Sequence, residues 1–161
     1  MRFPIFIELD KKRAVVIGAG KIASRRIKAL VEYGATVTVV APEADPLVRE
    51  LAEEGKLVWR PRLAEEADVA GAALVVAAAD RRGVNHQAAL WCREAGIPVN
   101  VADKKEECDF YFPGLARCGS LTAGVCADGT DHKLAKAAAW EIRELLEEKF
   151  GGQAGGSEKD S

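Results

Sequence analysis

Short apolar runs rich in β-branched residues alternate along this chain with longer stretches in which apolar residues recur at helical spacing. The first run, residues 13–17 (RAVVI), is almost wholly apolar, which predicts a strand buried on both faces. A stretch of helical periodicity follows at 22–33, and a second β-rich run, 36–40 (TVTVV), comes after Gly34. The first forty residues therefore predict a strand, a helix and a second strand.

The same alternation continues as far as residue 101. It predicts two further helices, near 47–54 and 84–95, and three further strands, near 57–59, 73–78 and 98–101. Strands that alternate with helices favour a parallel sheet covered by helices on both faces. The fold class predicted here is therefore α/β, with a Rossmann-like, doubly wound parallel sheet.

The pattern changes after residue 103. Two β-like stretches, 110–115 and 121–126, are joined by a Gly-Ser turn that leaves no room for a helix between them, so we predict a short antiparallel extension. Residues 131–150 carry one apolar stripe at helical spacing and predict a long C-terminal helix. The polar, glycine-rich residues 151–161 are predicted to be disordered.

Composition and charge exclude several classes of function. The 161 residues include 48% hydrophobic residues, enough for one ordinary core, and 23 basic residues nearly balance 25 acidic ones. No global field therefore attracts nucleic acid or an anionic membrane. The N-terminal residues lack the apolar length of a signal peptide or a membrane span, and the four cysteines lack paired CxxC spacing. We expect a cytoplasmic protein with reduced thiols.

The segment between the first predicted strand and the first predicted helix has the form GxGxxA. Gly18 permits a tight turn, Gly20 lets the backbone approach a pyrophosphate, and Ala23 allows the helix to pack closely on the sheet. The amides that open the helix would then face the phosphates. Such glycines also occur where they only close a strand-to-helix turn, but their position in the first βαβ unit favours a dinucleotide site.

The end of the second predicted strand bears on the choice of dinucleotide. An acid there usually accepts the adenosine ribose 2′-OH, and the first candidate is Glu43, about 25 residues after Gly18. No arginine lies in residues 40–45 to hold a 2′-phosphate. The sequence therefore favours NAD over NADP.

Six blocks resemble the precorrin-2 dehydrogenase and sirohydrochlorin ferrochelatase family, in the family's order and over residues 3 to about 149. They read FPIFIEL, VVIGAGKIASRR, VTVVAPE, LVVAAADRRGVN, VNVADKKEECDFYFP and ADGTDHKLAKA. The NVAD block followed by CDFYFP is much more specific than the glycine pattern alone. The resemblance implies NAD-dependent oxidation of precorrin-2 to sirohydrochlorin on the way to sirohaem, and in bifunctional members also the insertion of ferrous iron.

The resemblance also implies site residues and an organisation of the chain. It implies NAD contacts near the glycine loop and after the second and fourth strands, and Asp103 as the general base; the cofactor set is Gly18, Gly20, Lys21, Ile22, Pro42, Glu43, Ala79 and Asp80. It implies a homodimer and three regions: an NAD-binding domain at 1–115, an extension for dimerisation and the substrate cleft at 116–150, and the tail. Basic residues that could hold the substrate's carboxylates include Arg117, Lys133 and Lys136.

The chain also departs from the family pattern. Members commonly have a Ser-Pro before the last helix, whereas this chain reads DGTDHK at 128–133, with Thr130 or Asp131 left to cap the helix. This departure weighs most against iron insertion. His132 and Cys126 lack a third fixed ligand, so no metal ligands are predicted. The alternative function is a non-catalytic NAD-sensing module, which would need neither the NVAD nor the CDFYFP block.

Overall fold

The computed structural model describes residues 3–128 and 131–151, which form two compact units. The first comprises residues 4–110, and the second comprises Phe3, residues 111–128 and residues 131–151. The elements of the first unit are β1 (Arg13–Ile17), α1 (Lys21–Glu32), β2 (Thr36–Val40), α2 (Pro46–Glu53), β3 (Leu57–Arg60), β4 (Leu74–Ala77), α3 (Arg82–Ala95) and β5 (Val99–Val101). All five strands run parallel, which confirms the predicted α/β fold.

The strands lie in the order β3-β2-β1-β4-β5, so the chain first moves outward from β1 and then returns to its other side. Right-handed crossovers therefore place α1 and α2 on one face of the sheet and α3 on the other. Ile17 pairs in register with Val40 on β2 and with Ala77 on β4, so these three strands end at one level. A crevice for a ligand is expected where the strand order reverses, at the carboxyl ends of β1 and β4.

The core of the first unit consists of branched aliphatic side chains from the central strands. Val15, Val16, Val75 and Val76 have no exposed surface, and Ile17 is almost as deeply buried. Continuous apolar runs of this kind are typical of parallel strands covered on both faces. They make the sheet a rigid frame for the loops at its carboxyl edge.

The loop after β3 is anchored by a buried carboxylate. Asp68 closes a short 3-10 helix, Glu66–Asp68, and its side chain is only 1% exposed. It accepts hydrogen bonds from Arg62 at 2.7 Å through both guanidinium nitrogens, from Arg60 at 2.8 Å and from the amide of Glu65 at 2.9 Å. The hydrogen bonds from Arg62 outweigh desolvation and lower the pKa of Asp68 to about 2.

An Asp68→Asn variant should be less stable than the original by about 2–3 kcal/mol at neutral pH, because two arginines lose their carboxylate partner. The folded-state pKa lies below the unfolded value of 3.8, so this stabilisation is present above about pH 4 and is lost as the pH falls toward about 2. Urea unfolding of both proteins between pH 2 and 7 measures the difference. Glu53→Gln, on the exposed face of α2, is the control; a pH-independent difference would contradict the assignment.

The second unit is a β-hairpin against which one helix packs. Its elements are β6 (Gly114–Cys118), β7 (Leu121–Val125) and α4 (His132–Phe150). A Cβ atom on Gly114 would lie 2.6 Å from the carbonyl oxygen of Ala135, so only glycine permits this close approach of helix and strand. The predicted antiparallel extension and C-terminal helix are confirmed.

One predicted strand was placed wrongly. The interval 110–115 was expected to be a strand, but β6 begins at Gly114 and continues to Cys118. Phe110 instead accepts a hydrogen bond through its carbonyl from the Asn100 side chain at 2.7 Å. The residues from Phe110 to Pro113 thus form no strand, although their aromatic side chains have high β-propensity.

The ends of the described segments bear on two further predictions. Asp131 caps α4, since its side chain accepts a hydrogen bond from the amide of Leu134 at 2.8 Å; Thr130, the other candidate cap, lies outside the described residues. The predicted disordered tail also lies outside them, apart from Gly151. Among the helices of the described residues, none has the length and apolar character needed to cross a bilayer.

Candidate functional site

A cleft of about 480 Å³ opens at the carboxyl ends of β1, β2 and β4. Its walls come from the loop between β1 and α1, the segment after β2, the loop after β3 and the segment between β4 and α3. The lining residues are 17–21, 40–45, 63–64, 78–81 and 84. The cleft therefore lies at the reversal of strand order, where ligands bind to open α/β sheets.

The loop between β1 and α1 forms the floor of the cleft. Gly18 has φ of +103°, and a Cβ atom there would lie 2.4 Å from the carbonyl oxygen of Ala78, so a side chain would force the ends of β1 and β4 apart. Gly20 is the N-cap of α1 and offers no side-chain hydrogen bond to the helix amides, and the first turn carries no acid. These amides and the helix dipole favour an anion at this point.

The absence of a side chain at Gly20 leaves room at the start of α1. At Gly20 a Cβ atom would meet only Asp80 Oδ1, at 3.6 Å, so the missing side chain leaves open space above the helix N-terminus. Lys21 lines the same space and brings a positive charge to it. A pyrophosphate could approach the backbone here, which a bulkier residue at position 20 would prevent.

The segment after β2 forms the second wall. Glu43 is exposed and lines the cleft, and Asp45 caps α2 by accepting a hydrogen bond from the amide of Leu47 at 3.2 Å. Arg49, the arginine of α2, donates to the carbonyl of Ala44 at 2.9 Å and lies over the Trp59 ring at 5.9 Å. The Arg49 guanidinium is thus already engaged, whereas Glu43 lines the cleft.

A buried amide shapes the third wall. Asn85 has no exposed surface and clamps Ala79 twice, accepting from its amide at 2.8 Å and donating to its carbonyl at 2.9 Å. This clamp sets the course of the chain beyond β4, where Ala79 and Asp80 line the cleft. Asn85 therefore supports the cofactor wall without lining it.

Asp103 lies in a turn two residues after β5, at the carboxyl edge of the same sheet. Two side chains that follow it tie the returning chain to β5: the amide of Val99 donates to Asp109 Oδ2 at 2.9 Å, and the amide of Val101 donates to Cys108 Sγ at 3.1 Å. The turn that carries Asp103 is thus held at both ends.

Four charged or titratable side chains meet at this turn, and we call them the Arg82 cluster: Arg82, His86, Asp103 and Glu107. Arg82 opens α3, with Nη1 at 3.4 Å from Asp103 Oδ1 and Nη2 donating to Glu107 Oε1. His86 Nδ1 lies 3.1 Å from the same Glu107 oxygen. Desolvation acts to raise the pKa of Glu107, but the hydrogen bonds from Arg82 and His86 lower it below its usual value.

Of the cofactor residues predicted from the sequence, the structure brings all but Ile22 into the lining of one cleft. Ile22 comes directly after Lys21 on α1 and is 61% exposed. The candidate substrate contacts belong to the second unit: Arg117 lies on β6, and Lys133 and Lys136 are exposed on α4. Among residues 3–128 and 131–151, no three His, Cys, Asp or Glu side chains are grouped where they could hold a metal ion.

Comparisons with known proteins identify the family. The family described as "Putative NAD(P)-binding" matches residues 5–114. The precorrin-2 dehydrogenase of Bacillus subtilis strain 168 is 32% identical over 147 residues, which cover 91% of this chain and 90% of that protein. The chain belongs to the precorrin-2 dehydrogenase and siroheme synthase family.

Other relatives are much longer. The siroheme synthase of Methylococcus capsulatus strain Bath is 35% identical over 92% of this chain but over only 31% of its own length. The chain spans about three tenths of the length of the first relatives that it matches. Among solved structures, "SirC, precorrin-2 dehydrogenase" has the same fold, with a TM-score of 0.75 and 24% identity over 94% of this chain and 74% of that one.

Proposed function

We propose that this protein oxidises precorrin-2 to sirohydrochlorin with NAD as the hydride acceptor. The observation that carries the proposal is the position of Asp103 at the same carboxyl edge of the sheet as the cleft lined by Gly18 and Gly20. The precorrin-2 dehydrogenase of Bacillus subtilis, which this chain matches over nearly its whole length, supports the choice of substrate. A Rossmann-like fold alone would not support it, because one fold serves many reactions.

The roles of the residues follow from their positions. The amides at the start of α1 and the Lys21 ammonium would bind the pyrophosphate, and Glu43 would accept hydrogen bonds from the adenosine ribose. NAD supplies the acceptor for the hydride that leaves the macrocycle. The Asp103 carboxylate would take the proton that leaves the substrate in the same oxidation, which is the role of a general base.

The test is an anaerobic assay in which purified protein receives precorrin-2 and NAD. We expect NADH and sirohydrochlorin to form at the same rate. The absorbance of each product, measured at its own wavelength, monitors this. A non-catalytic NAD-sensing module would bind NAD, as shown by calorimetry, but would form no NADH. That result would overturn the proposed function and leave the dinucleotide site standing.

A Glu43→Ala variant should bind NAD about tenfold more weakly, because the carboxylate that receives the ribose hydroxyls is removed. NADP, whose 2′-phosphate the carboxylate repels, should bind equally well or better, so the preference for NAD shrinks. Calorimetric titration with both dinucleotides measures the two affinities. Glu50→Ala, exposed on α2, is the matched control; an unchanged NAD-to-NADP ratio in Glu43→Ala would exclude Glu43 from the ribose site.

We also propose that the chain works as a homodimer in the cytoplasm. Ile5, Phe6 and Ile7 are 50–79% exposed in an extended segment, which is apolar surface suited to a second copy. All four cysteines are free thiols, as reducing compartments maintain them. Sedimentation should give twice the mass of one chain.

Insertion of ferrous iron needs its own assay, with sirohydrochlorin and iron and without NAD.

A further inference from the structure

The carboxylate of Asp103 is not held by its own surroundings. Its side chain is 37% exposed on a turn, and it makes one ion pair among the described residues, with Arg82 Nη1 at 3.4 Å. A single contact of that length, made to one oxygen, leaves a carboxylate free to rotate unless its partner is itself fixed. The orientation of Asp103 therefore depends on what holds Arg82.

Glu107 holds Arg82 from the other side. The Glu107 side chain is only 16% exposed, and its Oε1 accepts hydrogen bonds from both Arg82 and His86. Arg82 and His86 are one helical turn apart on α3, so they present their side chains to Glu107 from the same face. The backbone beside Glu107 is in turn fixed, because Cys108 bonds to β5. β5 thus fixes the position of Glu107, and Glu107 in turn fixes Arg82.

We propose that Arg82 is a positioning residue that fixes the orientation of the Asp103 carboxylate for proton transfer, with Glu107 and His86 holding Arg82. This inference rests on the proposed function, since it assigns Arg82 a part in the same proton transfer. Arg82 lies between Arg81 and Val84, which line the cofactor cleft, but it does not line the cleft itself. Its replacement should therefore impair the reaction without weakening the binding of NAD.

An Arg82→Ala variant should have a kcat lower on the order of tenfold, with the KM for NAD unchanged, because a misoriented base slows the chemical step and leaves cofactor binding intact. Arg82→Lys should recover part of the loss, and Glu107→Gln should reproduce part of it. Arg93→Ala, an exposed arginine on the last turn of the same helix, is the matched control. Thermal unfolding of each variant shows that the fold is retained.

The decisive comparison adds Arg82→Ala to Asp103→Asn and follows single turnovers, so that slow variants stay measurable. If Arg82 acts through Asp103, the double variant should be no slower than Asp103→Asn alone. Three results would overturn the inference. The first is a double variant that is slower than Asp103→Asn by the same factor that Arg82→Ala loses alone. The others are an effect of Arg82→Ala confined to the KM for precorrin-2, and an unchanged kcat in Arg82→Ala. The original protein and Asp103→Asn test the proposed function separately; if the original forms no NADH, both fall.

Discussion

An Asp103→Asn variant should oxidise precorrin-2 with a kcat lower by about 10²- to 10⁴-fold, which is the range that a positioned general base contributes. Asparagine keeps the size of the side chain and its contact distance to Arg82 but cannot accept a proton at neutral pH. Asp103 does not line the cofactor cleft, so the affinity for NAD should stay within about twofold. Stopped-flow NADH formation gives kcat, and calorimetry gives the affinity.

The control for this experiment is Glu106→Gln, three residues after Asp103 in the short 3-10 helix Lys105–Glu107. Glu106 is exposed and forms an ion pair with Lys104 at 3.5 Å. The Glu106→Gln variant loses one negative charge from the same region as Asp103→Asn does. Because Glu106 is an exposed residue, the variant should keep kcat within about twofold of the original. A kcat for Asp103→Asn close to that of Glu106→Gln would show that another group removes the proton.

A Gly20→Asp variant should bind NAD at least about 100-fold more weakly, because the new carboxylate occupies the space of the pyrophosphate and repels it. The same change should alter the free energy of unfolding by only a few tenths of a kcal/mol, because repulsion from Asp80, whose Oδ1 would lie 3.6 Å from the new Cβ, opposes the gain from the N-cap. Gly20 is the N-cap of α1 with φ of −79°, a conformation open to any residue, and aspartate is a good N-cap. Calorimetry measures the affinity for NAD, and urea unfolding measures the stability.

Gly20→Asn separates charge from bulk in this experiment. Asparagine caps a helix as well as aspartate and is nearly the same size, but it carries no charge. We expect it to weaken NAD binding less than Gly20→Asp does. Binding by Gly20→Asp at the original affinity, with the fold retained, would show that the phosphates do not rest on this helix.

The sheet could be predicted from the sequence because its pattern is local. A buried parallel strand is a short β-branched run, and the bounds of β1 and β2 agree with the prediction at every residue. The stretch 110–115 was placed wrongly because its conformation depends on the Asn100 side chain, which lies ten residues away along the chain. Propensity reports the residues themselves and carries no information about such a partner.

The candidate site also has a part that could be predicted from the sequence and a part that could not. Cofactor residues follow directly after strands, so once the strands are known, their approximate place at the carboxyl edge is known as well. The Arg82 cluster could not be predicted, because each of its contacts joins residues 21 or 25 positions apart that share no periodic pattern. The Asp68 anchor was missed for a similar reason, since a lone aspartate in a polar loop carries no local signal of burial.

The attachment of Cys108 and Asp109 to β5 also protects the sheet from unwanted association. As the last strand of the sheet, β5 would otherwise present its outward amides to any other extended chain, which is a common route to aggregation. Here the amides of Val99 and Val101 are occupied by the two side chains. Damage that detaches Cys108 and Asp109 from β5, such as oxidation of Cys108, would expose the free amides of this edge strand. The turn that carries Asp103 would lose its support at the same time. Inactivation and precipitation of this protein should therefore occur together.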